Sequence, residues 1–172
     1  HQEASRREVK VLVINCGSSS VKYKVFLLPG ERLLAGGSVE KIGEETSVVV
    51  YRSGEKELRR ETGVGNHAAA LEIIAECLLD PEHGIIRDVA EIGVVGHRVV
   101  HGGEGFAASV VIDAAVTEKI ERCLDLAPLH NPHNLAGIRA AVRFFPGSVQ
   151  TASFDTAFHT TVPLLPRPLP WQ

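Results

Sequence analysis

The stretch VKVLVINCGSSSVKYKVFLL, from Val9 to Leu28, determines the fold that the rest of the chain extends. Its first part, residues 9–14, is aliphatic and rich in β-branched side chains, which predicts a buried strand. Small turn-forming residues from Asn15 to Ser20 interrupt that strand. From Val21 onward apolar and polar side chains alternate, which predicts a second strand with one buried face.

The elements that follow predict a mixed sheet with flanking helices. Pro29-Gly30 forms a turn into a third strand at 32–40, and Asn66 caps a helix that runs to about Leu79. The other predicted elements are a polar hairpin at 46–51 and 56–61, strands at 92–100, 109–112 and 149–154, and helices at 116–126 and 131–145. Three strands linked by tight turns, then helices alternating with strands, are typical of an α/β fold.

Composition excludes several classes of protein. The 172 residues carry 18 Lys+Arg and 21 Asp+Glu, a net charge of −3, and 44% of them are hydrophobic. That is enough apolar material for one domain with a core. The small, mixed charge argues against a nucleic-acid partner, and no apolar run approaches the roughly 18 residues of a membrane span.

The cysteines indicate the redox environment of the chain, and the absence of methionine bears on how the chain was produced. Cys16, Cys77 and Cys123 are far apart and form no CxxC pair. We therefore expect neither a disulfide framework nor a zinc site, and we expect a cytoplasmic location. The sequence contains no methionine, so we expect a processed chain or a piece of a longer one.

The turn at Asn15 to Ser20 is the first candidate site. One glycine and three serines bring N–H groups and hydroxyls close together, and Asn15 and Lys22 add an amide and a cation. These groups suit a phosphate, although the segment lacks the Walker A pattern and is followed by a strand. An ordinary Gly-Ser hairpin turn is the alternative.

The segment GHRVVHGGE, from Gly96 to Glu104, is the second candidate. Arg98 near the end of a buried strand could present its guanidinium to an anion, or it could pair with Glu104. His97 and His101 have the spacing of a metal pair on a helix. On a strand they lie about 13 Å apart, which is too far to share an ion.

Two further residues are predicted at the ends of secondary-structure elements. Asn131 and Pro132 favour a helix start, which places His130 at a helix N-terminus, where the dipole favours anions. Asp155 follows the last strand, where open α/β sheets bind their ligands, and could hold Mg²⁺ or act as a base. The alternatives are an incidental histidine for the first and a helix N-cap for the second.

Four segments together resemble the acetate kinase family, of the acetate and sugar kinase/Hsp70/actin superfamily. They are VINCGSSSVKY, VGHRVVHGGE, LAPLHNPHNLAGI and FDTAFHTTVP, in this order. The resemblance runs from about Val9 to Pro163. It implies a ribonuclease-H-like α/β fold, the first lobe of a two-lobe kinase, and the reaction of ATP and acetate to ADP and acetyl phosphate with Mg²⁺.

On the nucleotide side, the resemblance implies roles for four residues of the first hairpin. Asn15 matches a residue that contacts Mg²⁺, and Lys22 matches one that contacts ATP. Ser18 and Ser20 lie in the same phosphate-facing loop.

On the substrate side, the resemblance implies that Arg98 holds the carboxylate and the transferring phosphoryl group. Val100 and Leu129 match the apolar pocket for the acetate methyl group. Asp155 matches the catalytic acid/base position, and His130 a nearby histidine of lesser role. Because acetate is already ionised at neutral pH, we interpret Asp155 as an organiser of metal or water.

Departures from the family concern length and the second lobe. Family chains are more than twice as long, and the transition-state histidine, the second arginine and the metal-site glutamate have no counterpart here. We therefore expect a polar extension at 1–8, an acetate-kinase-like N-terminal lobe at 9–161 and a Pro-rich tail at 162–172, with the second lobe absent.

Three functions stay open at this point. The chain is an acetate kinase fragment that is inactive alone, a non-catalytic lobe that binds an anion or a partner, or part of a propionate or butyrate kinase. The resemblance implies a homodimer at full length. For this chain we expect self-association through an uncovered apolar surface, which we place near Phe158, Leu164, Leu165, Leu169 and Trp171.

Overall fold

The structure, a computed structural model, describes residues 7–99, 110–112 and 131–154. These residues form a mixed sheet of eight strands in the order β5-β4-β3-β2-β1-β6-β8-β7, with two α-helices. The strands are β1 Val9–Cys16, β2 Ser20–Leu28, β3 Arg32–Glu40, β4 Ser47–Ser53, β5 Lys56–Thr62, β6 Ile92–Val99, β7 Val110–Val111 and β8 Val149–Phe154. The α-helices are α1 His67–Leu78 and α2 Asn131–Phe144, and a short 3₁₀ helix spans Val89–Glu91.

Strand β1 lies at the centre, antiparallel to β2 and parallel to β6. Leu12 and Val11, which point to opposite faces, are both 0% exposed. A strand buried on both faces has no need of polar alternation, which explains the continuous aliphatic run from which the fold was predicted.

The two helices pack on one face of the sheet, called the helix face below. Helix α1 begins where the Asn66 side chain accepts a 2.8 Å hydrogen bond from the Ala69 N–H, as its predicted capping role requires. The core on this face includes Leu12, Ile14, Leu71 and Phe145, contributed by β1 and both helices or their ends. Burial of these side chains fixes both helices against the sheet.

The opposite face of the sheet has a smaller apolar cluster. Val11, Val13 and Leu28 are buried there, with partly buried residues packed around them. Beyond Val13 this face becomes polar, because Asn15 follows on the same side of β1. The polar end of the face carries the candidate site.

The predicted mixed α/β class is confirmed, and the bounds predicted for β3 and β8 match the structure. Strand β1 runs to Cys16, two residues beyond the predicted end, because Asn15 and Cys16 still pair with β2. The interrupting turn is therefore shorter than expected, covering residues 17–19.

The hairpin of β4 and β5 was predicted to be polar, and for β4 this is wrong. β4 lies inside the sheet between β3 and β5, so Val49, Val50 and Tyr51 are buried. The Tyr51 hydroxyl donates to the His83 carbonyl at 2.8 Å, which satisfies its polar end. Only β5 has the exposed, charged character that the sequence indicated.

The predicted helix at 116–126, the Pro-rich tail and the apolar residues expected to mediate self-association lie outside the described residues. No helix within 7–99, 110–112 or 131–154 is long and apolar enough to cross a membrane.

Candidate functional site

Three predicted site residues lie in one row across the central strands. Asn15 of β1 pairs with Lys22 of β2 on one side and with Arg98 of β6 on the other. Residues paired in register project from the same face of a sheet, and neighbouring strands are about 5 Å apart. An amide, an ammonium and a guanidinium therefore stand side by side on the opposite face.

These side chains belong to a groove with a cavity volume of about 830 Å³. Among the described residues, its lining carries four cations, Lys22, Lys24, Arg52 and Arg98, and one carboxylate, Glu40. Arg52 is partly neutralised by Glu57, whose carboxylate lies 3.0 Å from its Nε. An excess of positive charge in a concave surface favours anions, as the prediction for Arg98 requires.

The turn at 17–19 is held by its carbonyl groups. The Gly17 N–H donates to the Ser20 carbonyl at 2.8 Å, and the Ile42 N–H donates to the Ser19 carbonyl at 2.9 Å. The Gly17 carbonyl lies 2.7 Å from Nε2 of His67. A Cβ at position 17 would lie 2.9 Å from the Ser20 hydroxyl oxygen, a contact that rotation of the Ser20 side chain could relieve.

The backbone donors that follow Gly17 in this turn are not used to hold it. Ser18 and Ser19 are exposed, and their backbone N–H groups donate no hydrogen bond within the described residues. The hairpin-turn interpretation is therefore correct as geometry. It is also compatible with the phosphate interpretation, because N–H groups that hold no other partner and hydroxyls on exposed residues are what an anion needs.

Two neighbouring residues of β6 point to opposite faces of the sheet. Arg98 lines the groove, whereas His97 is 2% exposed on the helix face and its Nε2 lies 2.7 Å from Oε1 of Gln150. Burial lowers the pKa of His97 to about 4, so the ring is neutral at physiological pH. The described residues contain no group of three or more His, Cys, Asp or Glu that could hold a metal ion.

Helix α2 begins at Asn131, as predicted, and its first turn contacts the start of α1 on the helix face. The ring of His133 stacks on that of His67, with centroids 5.2 Å apart. Asn134 is 2% exposed, and its Nδ2 has no hydrogen-bond partner in the part of the chain that the structure describes. The predicted site residues Val100, Leu129, His130 and Asp155 lie outside the described residues, as does Glu104.

The contact of His67 with the turn and the stacking of His133 on His67 were not predicted from the sequence. His67 contacts a residue 50 positions earlier in the chain, and no local pattern marks such a contact. The only signal was the position of His67 directly after the helix cap Asn66, which fixes its place but not its partner.

A mixed sheet with a serine-rich turn after its first strand, and with cationic and amide side chains aligned across its central strands, defines an α/β lobe suited to anionic ligands. The chain belongs to the Acetokinase family, whose family model matches residues 10–166. The resemblance inferred from the four sequence segments is confirmed.

Two curated relatives are acetate kinases. That of Desulfitobacterium hafniense is 49% identical over 157 residues, and that of Natranaerobius thermophilus is 49% identical over 156. Each match covers 90% of this chain and 39% of the relative. The chain thus spans about two fifths of the length of the relatives it matches.

Solved structures give the same result. Acetate kinase of Porphyromonas gingivalis matches with a TM-score of 0.82 and 45% identity, covering 92% of this chain and 41% of that one. A propionate kinase from Francisella tularensis matches with a TM-score of 0.78 and 39% identity, covering 90% and 39%. The fold expected for the first lobe of this family is confirmed.

Proposed function

We propose that this chain forms the anion-binding lobe of an acetate kinase, which transfers a phosphoryl group between ATP and acetate. The observation that supports the proposal is the row of Lys22, Asn15 and Arg98 beside the serine-rich turn. In this family a carboxylate and a polyphosphate must approach each other. A groove whose described lining has four cations and one carboxylate suits that requirement.

Arg98 is proposed to bind the acetate carboxylate and the transferring phosphoryl group. A guanidinium offers paired N–H donors in a plane that matches two oxygens of either group. Lys22, Ser18 and Ser20 are proposed to contact the phosphates of ATP. Their positions around one tight turn would let them act together on neighbouring oxygens.

In the proposed reaction a carboxylate oxygen of acetate attacks the γ-phosphorus of ATP. A new O–P bond forms, the bond to the bridging oxygen breaks, and ADP leaves with the electron pair. Acetate needs no deprotonation, since it is ionised at neutral pH. The protein therefore contributes positioning and charge neutralisation, and Asp155 and His130 are proposed as organisers near the reacting groups.

Asn15 fits a magnesium ion that arrives with ATP. Its amide oxygen is a hard ligand, and Mg²⁺ usually keeps several waters and binds through few protein oxygens plus substrate phosphates. When bound, the ion would neutralise the developing phosphate charge.

A propionate kinase is the second candidate, because a solved structure of that name matches with a TM-score of 0.78. The two candidates differ in the apolar pocket for the acid, for which Val100 and Leu129 are proposed. Competition of acetate and propionate for the groove, followed by NMR, would rank them. A lobe that binds anions without turnover is the third alternative.

Titration of the ¹⁵N-labelled chain with inorganic phosphate tests the proposed site. We expect the amides of Ser18 to Ser20 and the Arg98 side chain to shift together. Arg98→Ala should weaken binding by about 10- to 100-fold, since hydrogen bonds to charged groups contribute about 1.5–3 kcal/mol.

The matched control is Arg143→Ala, which removes the same charge from an exposed position near the end of α2. It should leave phosphate binding unchanged. Equal losses in both variants, or shifts only at residues remote from Arg98, would refute the site.

A further inference from the structure

We infer that His67 is a positioning residue for the phosphate-binding turn, in that its ring N–H sets the direction in which the Ser18 N–H points. This inference rests on the proposed function of the turn. His67 is the first residue of α1, is 7% exposed and does not line the groove. It therefore acts on the site through the backbone of Gly17.

The contact joins Nε2 of His67 to the Gly17 carbonyl oxygen over 2.7 Å. A carbonyl can only accept, so Nε2 must carry the proton and donate. The position of the His67 ring is restricted by the start of its helix, because the Asn66 side chain caps the first turn of α1. His67 thus places an N–H donor in a fixed position beside the Gly17 carbonyl.

The consequence for the ligand site follows from the geometry of the peptide bond. The Gly17 carbonyl and the Ser18 N–H belong to one planar trans unit, in which they point in opposite directions. Holding the carbonyl toward α1 therefore turns the Ser18 N–H away from α1. That N–H has no partner within the described residues, so it is available to an anion.

A second contact fixes the plane of the ring. The His133 ring lies stacked on His67 at an interplanar angle of 24°, which restricts rotation about the side-chain torsion of His67. His133 is in the first turn of α2, and Gly137 of the same helix packs on Cys16, the residue before the turn. Both helices therefore contribute to the orientation of one peptide unit.

The experiment compares His67→Leu, which removes the donor, with His67→Gln, whose side-chain amide can donate from a similar position. Phosphate titration of the full chain should give a dissociation constant raised about 3- to 10-fold for His67→Leu, the effect of one neutral hydrogen bond. His67→Gln should stay within about twofold of the wild type. The Ser18 amide shift, recorded without ligand, should move in His67→Leu and be restored in His67→Gln.

A control separates positioning from general stability. Ile74→Val removes a methyl group from a fully buried residue of α1 and lowers the melting temperature without touching the turn. It should leave phosphate affinity and the Ser18 amide unchanged. The inference is overturned if His67→Leu binds phosphate like the wild type, or if His67→Gln loses as much affinity as His67→Leu.

The proposed function fails in a different way. If phosphate does not shift Ser18 to Ser20 in the wild type, the turn is not the anion site. The ligand-free Ser18 amide then still decides whether His67 orients this peptide unit: restoration by His67→Gln supports that role, and an unmoved shift in His67→Leu refutes it.

Discussion

At the scale of single residues, His97 and Arg98 illustrate how one strand serves a core and a site. They are adjacent on β6, so their side chains point to opposite faces. Arg98 lines the groove, while His97 contacts Gln150 inside the core. The cost of this arrangement is a buried titratable group, which makes stability depend on pH.

We predict that acid destabilises the fold through His97 before the carboxylates contribute. Above pH 6.5 the ring is neutral in both states, and below it only the unfolded chain gains the proton, until the folded state does so near its pKa of about 4. The free energy of unfolding should therefore fall between pH 6.5 and 4, by roughly 3 kcal/mol if the full difference between the unfolded-state and folded-state pKa values of His97 contributes. Asp80 and Glu91, whose pKa values are lowered by hydrogen bonds to His83 and Lys10, add to the loss below about pH 4.5.

Urea unfolding at pH 7, 5.5 and 4.5 measures this slope. His97→Gln keeps a donor toward Gln150, and its free energy of unfolding should change less with pH between 6.5 and 4.5. Thr151→Val, which changes an uncharged buried residue of β8, should change the free energy of unfolding by the same amount at each pH. An unchanged slope in His97→Gln would contradict the assignment.

The sequence was sufficient to nominate Asn15, Lys22 and Arg98, because strand ends and small turn residues are local signals. It could not place them in one row, since the row depends on the register of β1 with β6, more than 80 residues away. For the same reason His67 was missed. A contact between a helix start and a distant carbonyl leaves no periodic pattern.

At the scale of elements, the packing of α2 on β1 depends on Gly137. A Cβ at this position would lie 2.5 Å from the sulfur of Cys16, well inside van der Waals contact. The sequence predicted α2 from its start at Asn131 and Pro132. Only the structure shows that Gly137 lies at a close approach between α2 and β1.

We predict that Gly137→Ala destabilises the wild type by about 1–3 kcal/mol through overpacking. In a Cys16→Ala background the sulfur is gone and the next contact is 3.8 Å away. There the same change should stabilise by about 0.5–1 kcal/mol, because alanine favours the helix over glycine. Chemical denaturation of the double-mutant cycle checks this reversal of sign.

Gly147→Ala is the matched control for that cycle. A Cβ at Gly147 meets nothing within 4 Å, so the substitution should be nearly neutral in either background. Additive effects of Gly137→Ala and Cys16→Ala would show that the sulfur is not the obstacle.

At the scale of the whole molecule, the decisive fact is that the matched relatives are about 2.3 times as long, since 90% of this chain covers 39% of each. The row of Lys22, Asn15 and Arg98 occupies one side of the proposed reaction. Phosphoryl transfer needs donors placed around the whole transition state, and each such donor is worth about 10²–10³ in rate.

We therefore predict that the 172-residue chain alone gives no measurable acetyl phosphate. The assay supplies ATP, Mg²⁺, acetate and hydroxylamine, which traps the product as a hydroxamate, with the Porphyromonas gingivalis acetate kinase as positive control. Sustained hydroxamate formation that Asp155→Ala abolishes would contradict the prediction.

The burial of Cys16 has a chemical consequence for the neighbouring turn. Its sulfur lies against α2, and burial raises the pKa of the thiol to about 12, so at neutral pH only about 10⁻⁵ of it is thiolate. A thiolate at this place would repel an incoming anion and could compete as a nucleophile for an activated phosphoryl group. By facing inward, the sulfur adds neither charge nor reactivity to a turn that begins at the very next residue, and it is shielded from oxidants while that turn stays open to solvent.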